Sequence, residues 1–154
     1  MVMPDPLLEP PDSRWEEAGL EEEYEAAERA AEFYAAKVRR EGNHVFFEFK
    51  GRASQQLVAR LECNGYPAVA PDLVFLDPET NVVSANVRHW PPASPILKHA
   101  DGLHLCIPGT RWFERTHNNR GTREDRGLAR ILEVLAICCD GGAQALAPGR
   151  RRRR

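Results

Sequence analysis

The sequence predicts an α+β domain with an N-terminal helix, an antiparallel β-meander, a long irregular segment and a C-terminal helix. Apolar residues recur every three or four positions near both ends of the chain, which is typical of helices with one buried face. Between them, short runs rich in Val, Leu and Phe resemble half-buried strands. Helices and strands that are segregated along the chain, rather than alternating, favour an α+β architecture.

The first helix is predicted to run from Ser13 to about residue 41. Ser13 and Glu16 form a capping-box pattern, in which each side chain accepts a backbone N–H of the other end of the first turn. Six apolar positions then follow at spacings of four and three: Leu20, Tyr24, Ala27, Ala31, Tyr34 and Val38. This spacing places them on one face, and Gly42-Asn43 is expected to end the helix.

Three strands are predicted next, at residues 45–49, 55–63 and 73–76, and residues 81–87 are a candidate fourth. Gly51-Arg52 is the expected turn between the first two strands. From residue 88 to 112 no periodicity is visible, and four prolines exclude long regular elements there: Pro91, Pro92, Pro95 and Pro108. An irregular segment of this length inside a domain is usually functional when it occurs.

The last helix is predicted over residues 124–139, before Gly141-Gly142. One side of it carries Leu128, Ile131, Leu132, Leu135 and Cys139. We therefore expect one domain at residues 13–142, preceded by a proline-rich irregular lead-in at residues 1–12. Residues 143–154 are expected to form a disordered, arginine-rich tail.

Composition indicates a soluble, cytoplasmic protein. Apolar residues make up 42% of the 154, and no apolar run approaches the ~20 residues of a membrane-spanning helix. The N-terminus has no basic region before an apolar one, so we expect no secretory signal and no membrane partner. Without Arg150 to Arg154, 16 basic residues remain against 23 acidic ones, a balance of −7. An acidic body without a basic stripe argues against a nucleic-acid partner.

The four cysteines, at positions 63, 106, 138 and 139, form no CxxC pair and are expected to be free thiols. Cys106 draws attention because it lies in the irregular segment, within DGLHLCIPGTRWFER. His104 precedes it by two residues, so in extended backbone both side chains point the same way. Three interpretations stay open for Cys106: a nucleophile, a metal ligand or a small core residue.

The ordered motifs of this chain resemble those of ubiquitin-conjugating enzymes. The stretch YPAVAPDLVF, from Tyr66 to Phe75, is similar to the proline-bearing loop that feeds the last strand of that family's meander. Asp101-Gly102, Cys106 and Trp112 then follow in the order in which the family carries an Asp-Gly turn, an active cysteine and a tryptophan. The resemblance covers roughly residues 13–139 and is that of a minimal, bacterial-type member.

This resemblance implies an acyltransferase that uses a cysteine thioester. Cys106 would accept a ubiquitin-like protein from an activating enzyme and pass it to a target. The resemblance implies no cofactor and no metal. Spacing alone makes His104 the candidate for a second catalytic residue, because an imidazole on the same side as Cys106 could favour the thiolate or donate to an oxyanion; a solvated loop histidine is the alternative interpretation. The family's His-Pro-Asn motif is reduced to Ser94-Pro95-Ile96, so the asparagine that supports the oxyanion is missing or moved. The Asp-Gly turn also precedes the cysteine by one residue more than in the family.

Two other functions stay open. Five residues could supply zinc ligands, since imidazole and thiolate bind this ion, although their spacing matches no standard zinc pattern: His89, His99, His104, Cys106 and His117. Alternatively, the chain is a non-catalytic adaptor of the same fold. His99, His117 and Asn118 are less well placed candidates for the role of His104, and the two histidines among them are expected to be ordinary loop residues. Tyr66, Pro67 and Trp112 are expected to be structural.

Glutamates crowd the first helix: Glu16, Glu17, Glu21, Glu22, Glu23 and Glu25. They could bind a basic patch on the activating enzyme, because complementary charge steers association. A solvated helix face is the alternative interpretation.

Overall fold

The computed structural model describes residues 13–51, 55–90, 96–99, 102–105, 107–117 and 126–139. These ranges form an α+β structure, as the sequence predicts. Its regular elements are α1 (Ser13–Ala31), β1 (Lys37–Glu41), β2 (His44–Lys50), β3 (Gln56–Glu62), β4 (Asp72–Leu76), β5 (Ile96–His99), β6 (Gly102–Leu105), α2 (Arg111–Thr116) and α3 (Leu128–Cys139). Strands β1 to β4 form one antiparallel sheet in chain order, and β5 pairs with β6 as a separate antiparallel hairpin.

The core lies between one face of the four-stranded sheet and helices α1 and α3. Strand register explains which side chains enter it, because residues directly opposite each other share a face. Val38 pairs with Phe47, Phe47 with Ala59, and Ala59 with Phe75, which gives one apolar row across all four strands. The helices add the buried residues Leu20, Ala27, Ala31, Leu128, Ile131, Leu132 and Leu135.

The first helix ends earlier than predicted, and a strand was missed. After Ala31 the chain makes a short 3-10 turn, and Ala35 then adopts a left-handed conformation with φ of 51°. The N–H of Ala36 donates to the Ala31 carbonyl at 3.0 Å, the hydrogen bond of a Schellman helix end. Residues 37–41 therefore leave the helix and become β1. Val38 fits the apolar face of either element, so its periodicity could not separate them.

Gly42-Asn43 is a hairpin turn and not a helix stop. Glu41 pairs with His44, so the loop contains only these two residues. Gly42 has φ of 59°, and a glycine at the first central position is typical of the two-residue turns whose twist matches the flanking strands. Strand β1, which the sequence did not predict, thus completes the four-stranded sheet.

The prediction of a candidate strand at residues 81–87 is wrong. Only a single bridge joins Val83 to Leu76, and residues 87–89 form a 3-10 turn. The N–H of Ser84 donates to the Phe75 carbonyl at 3.0 Å, so this segment covers the outer edge of β4 without becoming a strand. The other three strands are confirmed as β2, β3 and β4.

The later part of the chain is more regular than expected. The supposedly irregular segment contains the β5–β6 hairpin and begins α2. Helix α3 begins at Leu128 and not at residue 124 as predicted, since residues 126 and 127 are not helical. The first N–H of α3 donates to the Glu23 carboxylate, at 3.2 Å from Oε1. Its apolar side is confirmed for Leu128, Ile131, Leu132 and Leu135. The Cys139 side chain, residue 124, the lead-in and the arginine tail lie outside the described residues.

No helix in the described part of the chain is both long enough and apolar enough to cross a membrane.

Replacing Ala35 by glycine should stabilise the protein. The left-handed conformation costs an L-residue about 1 kcal/mol and costs glycine almost nothing, so Ala35→Gly should raise the free energy of unfolding by about 1 kcal/mol in urea denaturation. Ala26→Gly, inside α1, is the matched control and should lower it by about 1 kcal/mol. Equal destabilisation by both variants would show that Ala35 does not adopt this conformation in solution.

Candidate functional site

The structure describes the surroundings of the candidate nucleophile rather than the nucleophile itself. Cys106, Asp101 and Asn118 lie outside the described residues. His104 lies in β6, where it pairs with Leu97, and His99 lies in β5, although neither side chain is described. The extended backbone expected at His104 is therefore present. Both flanks of residues 91–106 are held by specific contacts.

Trp90 holds the first flank. Its indole is fully buried and lies against Phe75, with ring centroids 5.2 Å apart. The indole N–H donates to the Ser84 carbonyl at 2.8 Å, and the Gln55 amide donates to the Trp90 carbonyl at 3.3 Å. These contacts thus fix the chain to the sheet at Trp90, directly before residues 91–106.

Ile107 holds the second flank, one residue after Cys106. Its side chain is fully buried, and its carbonyl accepts the Thr110 hydroxyl at 2.7 Å and the Thr110 N–H at 3.3 Å. Gly109 makes this tight turn possible, because its φ of 91° is strained for any other residue. The turn leads directly into α2.

Helix α2 is attached to the loop that precedes β4. The N–H of Arg111 donates to the Pro71 carbonyl at 2.8 Å, and its Nε donates to the Ala70 carbonyl at 3.3 Å. Residues 70–71 belong to the stretch that carries the family resemblance. That stretch therefore supports the chain that follows Cys106.

A buried ion pair joins α2 to the residues that directly precede α3. Glu114 is 2% exposed and Arg126 is 4% exposed. The Arg126 guanidinium donates to both carboxylate oxygens of Glu114, at 2.7 and 2.9 Å. It also donates to the carbonyls of Pro67 and Ala68, at 3.0 and 2.8 Å. Four hydrogen bonds therefore compensate the burial of both charges.

Tyr66 belongs to the same cluster, since its buried hydroxyl donates to the Arg126 carbonyl at 2.9 Å. Tyr66 is thus part of the core, in agreement with the structural role expected for it. Pro67 supplies a carbonyl to the ion pair. Trp112 lies in α2 and is half-buried.

Two of the histidines in the zinc hypothesis have described side chains, and their contacts are separate. His89 Nδ1 lies 2.6 Å from Ser84 Oγ, and the His117 ring stacks on Phe113 with centroids 4.0 Å apart. Within the described residues, no group of three or more His, Cys, Asp or Glu side chains could hold a metal ion. The remaining three residues of the zinc hypothesis have no described side chain, so that hypothesis stays untested.

Cys63 differs chemically from an active thiol. It is 2% exposed, and burial raises the pKa of its thiol to about 12. Because the thiolate is the nucleophile, Cys63 is inert at neutral pH. The side chains of Cys138 and Cys139 are not described.

The acidic residues of α1 are only partly free for a partner. Glu21 forms an ion pair with Arg40 at 2.8 Å, and Glu23 accepts the first N–H of α3. Glu22 and Glu25 are exposed, whereas the side chains of Glu16 and Glu17 are not described.

A scan against models of known protein families finds no match, and a search of curated proteins finds none either.

Sequence reasoning missed Glu114 and Arg126. In the sequence they are two charged residues among many, twelve positions apart and on opposite sides of a polar stretch. Charged residues are almost never fully buried unless they are paired, and the pairing partner cannot be read from such spacing. The only available signal is that Glu114 shares the first turn of a short helix with two aromatic residues.

The buried Cys63 thiol should make the folded state less stable at alkaline pH. Its raised pKa means that the unfolded chain loses the thiol proton near pH 9 while the folded chain keeps it up to about pH 12. This contribution to stability is complete below pH 9 and declines above it. Between pH 8 and 10.5, wild type should lose about 2 kcal/mol more than Cys63→Ala in urea unfolding. Identical losses would contradict this burial.

Breaking the Glu114–Arg126 pair should be costly. Glu114→Gln or Arg126→Met should each lower the free energy of unfolding by about 3–5 kcal/mol, because the remaining polar group stays buried. The double variant Glu114→Leu/Arg126→Met should lose much less than the sum of the two.

The matched control for this cycle is the exposed pair Arg130–Glu133, with 3.0 Å between Nη1 and Oε1. Arg130→Met should cost less than about 1 kcal/mol. Similar costs at the two sites in chemical denaturation would mean that the Glu114–Arg126 pair is solvated.

Proposed function

We propose that this chain is a ubiquitin-conjugating-like carrier, a minimal, bacterial-type protein of the ubiquitin-conjugating-enzyme-like fold. It would accept a ubiquitin-like protein from an activating enzyme as a thioester on Cys106 and transfer it to a target. The observation that supports this most is the order of elements around position 106. As the resemblance implies, the chain begins with a helix and a four-stranded meander, in which the Tyr66-Pro67 loop leads into β4. The segment at residues 91–106, anchored by its neighbours Trp90 and Ile107, and a final helix then follow.

The contacts of that segment also suit a carrier. A loop nucleophile is effective when a rigid scaffold positions it. Trp90 before it and Ile107 after it are fully buried, so the chain is anchored on both sides of the proposed nucleophile, at Ile107 by the adjacent residue. Cys63 is the one cysteine whose side chain is described, and it is buried and protonated. The nucleophile of a carrier would therefore be a different cysteine.

The proposed chemistry is acyl exchange between thiols. The Cys106 thiolate attacks the carbonyl carbon of the thioester that joins the modifier to the activating enzyme. A new carbon–sulfur bond forms, and the activating enzyme's cysteine leaves as a thiolate. In the second step an amine or hydroxyl of the target attacks the same carbon, loses its proton, and displaces Cys106 as a thiolate.

His104 is the proposed second catalytic residue. Its backbone lies in an extended strand two residues before Cys106, which is the spacing that directs two side chains to the same side. A neutral imidazole could take the thiol proton, and a protonated one could donate to the oxyanion. This second role would replace part of what the missing asparagine does in the resembled family.

The exposed Glu22 and Glu25 support the proposal that α1 meets a basic patch of the activating enzyme.

The carrier function can be tested directly. The protein is mixed with ATP, a cognate activating enzyme and its ubiquitin-like protein, and resolved on a non-reducing gel. Wild type should form an adduct that a thiol reductant removes. Cys106→Ala should form none, and Cys106→Ser should form a reductant-resistant ester. Cys63→Ala is the matched control and should retain the wild-type adduct.

The other outcomes discriminate among the alternatives. If the activating enzyme itself carries the modifier and yet no adduct forms, the chain is the non-catalytic adaptor. Stoichiometric zinc in the purified protein, lost in Cys106→Ala and in His104→Ala, would instead establish the metal site.

A further inference from the structure

We propose that Glu114 and Arg126 are positioning residues that set the reactivity of the thiol at position 106. This inference rests on the proposed function only in taking Cys106 as the reactive group. The buried ion pair would act through hydrogen bonds on the chain that carries the nucleophile.

A short path of hydrogen bonds connects the pair to that chain. The Arg126 guanidinium binds both carboxylate oxygens of Glu114. The Glu114 N–H donates to the Thr110 carbonyl at 3.1 Å, which is the first helical hydrogen bond of α2. The Thr110 hydroxyl and N–H both donate to the Ile107 carbonyl. The path therefore ends on the residue next to Cys106.

Arg126 anchors the other end of this path on the main body of the protein. Its remaining hydrogen bonds go to the carbonyls of Pro67 and Ala68, in the loop that leads into β4. Its own carbonyl accepts the Tyr66 hydroxyl, and Tyr66 lies in the core. Because β4 is fixed by pairing with β3, the guanidinium holds α2 in a defined position relative to the sheet.

The chemistry of the pair explains why it suits this role. A planar guanidinium that binds a carboxylate through two parallel hydrogen bonds fixes orientation as well as distance. Helix α2 has only six residues, so its own hydrogen bonds cannot hold it rigidly. Without the pair, the turn at residues 107–110 would keep its local hydrogen bonds, and Arg111 would keep its contacts to the loop before β4. What would be lost is the two-bond contact that fixes the orientation of α2 relative to that loop.

Alkylation of Cys106 by iodoacetamide provides a readout that needs no modifier or activating enzyme. Cleavage after Lys98 and Arg111 releases residues 99–111, in which Cys106 is the one cysteine, so mass spectrometry reports its rate alone. The variants are Glu114→Asp and Arg126→Lys. Both keep the charges, but each changes the length or shape of the side chain and prevents the planar two-bond contact.

We expect each variant to change the alkylation rate of Cys106 by at least fivefold and to shift its pH profile. Cys63, read from its own peptide, should stay protected, which shows that the fold is intact. Ile131→Val in the core of α3 is the matched control for general destabilisation, because Ile131 is fully buried but lies outside the path. It should leave the Cys106 rate within twofold of wild type.

Two results would overturn the inference. One is a Cys106 rate in Glu114→Asp and Arg126→Lys that matches the Ile131→Val control. The other is a parallel rise for Cys63, which would reveal global unfolding in place of repositioning.

The thioester assay then separates this inference from the proposed function. If wild type forms no thioester but the alkylation rates change as expected, the positioning role stands and the carrier function fails. If wild type forms the thioester and the variants form it at the wild-type rate, the pair has no part in the reaction.

Discussion

The contact on which most of this structure depends is the buried hydrogen-bonded pair of Glu114 and Arg126. It joins three segments of the chain: the loop before β4, the short helix α2 and the turn that precedes α3. Burying two charges is expensive, and an apolar replacement of similar volume is often as stable or more so. What an apolar replacement does not supply is direction. The four hydrogen bonds of the guanidinium permit one arrangement of these segments, whereas apolar side chains would permit several.

This arrangement divides the molecule into a part that is specified by packing and a part that is specified by polar contacts. The sheet and the helices α1 and α3 share an apolar core whose rows follow from strand register. Trp90 and Ile107, on either side of the segment that carries Cys106, also belong to that core, but named hydrogen bonds orient them and the helix α2 that follows. Apolar burial holds a chain close without fixing its orientation, so a reactive loop benefits from the second kind of support.

The sequence predicts the elements whose periodicity has one interpretation, and it fails where two elements share a pattern. Strands β2, β3 and β4 and the apolar side of α3 follow directly from spacing. The sequence places strand β1 in the helix because Val38 continues the helical face. The left-handed conformation of Ala35 ends the helix, and an alanine in a sequence does not indicate that conformation. At the site, Cys106 was selected from its motifs; it lies outside the described residues, so its role stays a prediction. The pairing of Glu114 with Arg126 could not be predicted, because it arises from tertiary contacts between residues that are ordinary in isolation.

The outer edge of β4 has a consequence for how these molecules meet one another. The Phe75 carbonyl is taken by Ser84, the Pro71 carbonyl by Arg111, and Val83 bridges Leu76. An incoming strand would find these partners already occupied, and the opposite edge of the sheet presents the charged Lys37, Arg39 and Glu41 of β1. Both edges of the four-stranded sheet are thus poor templates for strand addition between copies of the chain, the contact by which sheets join into fibres.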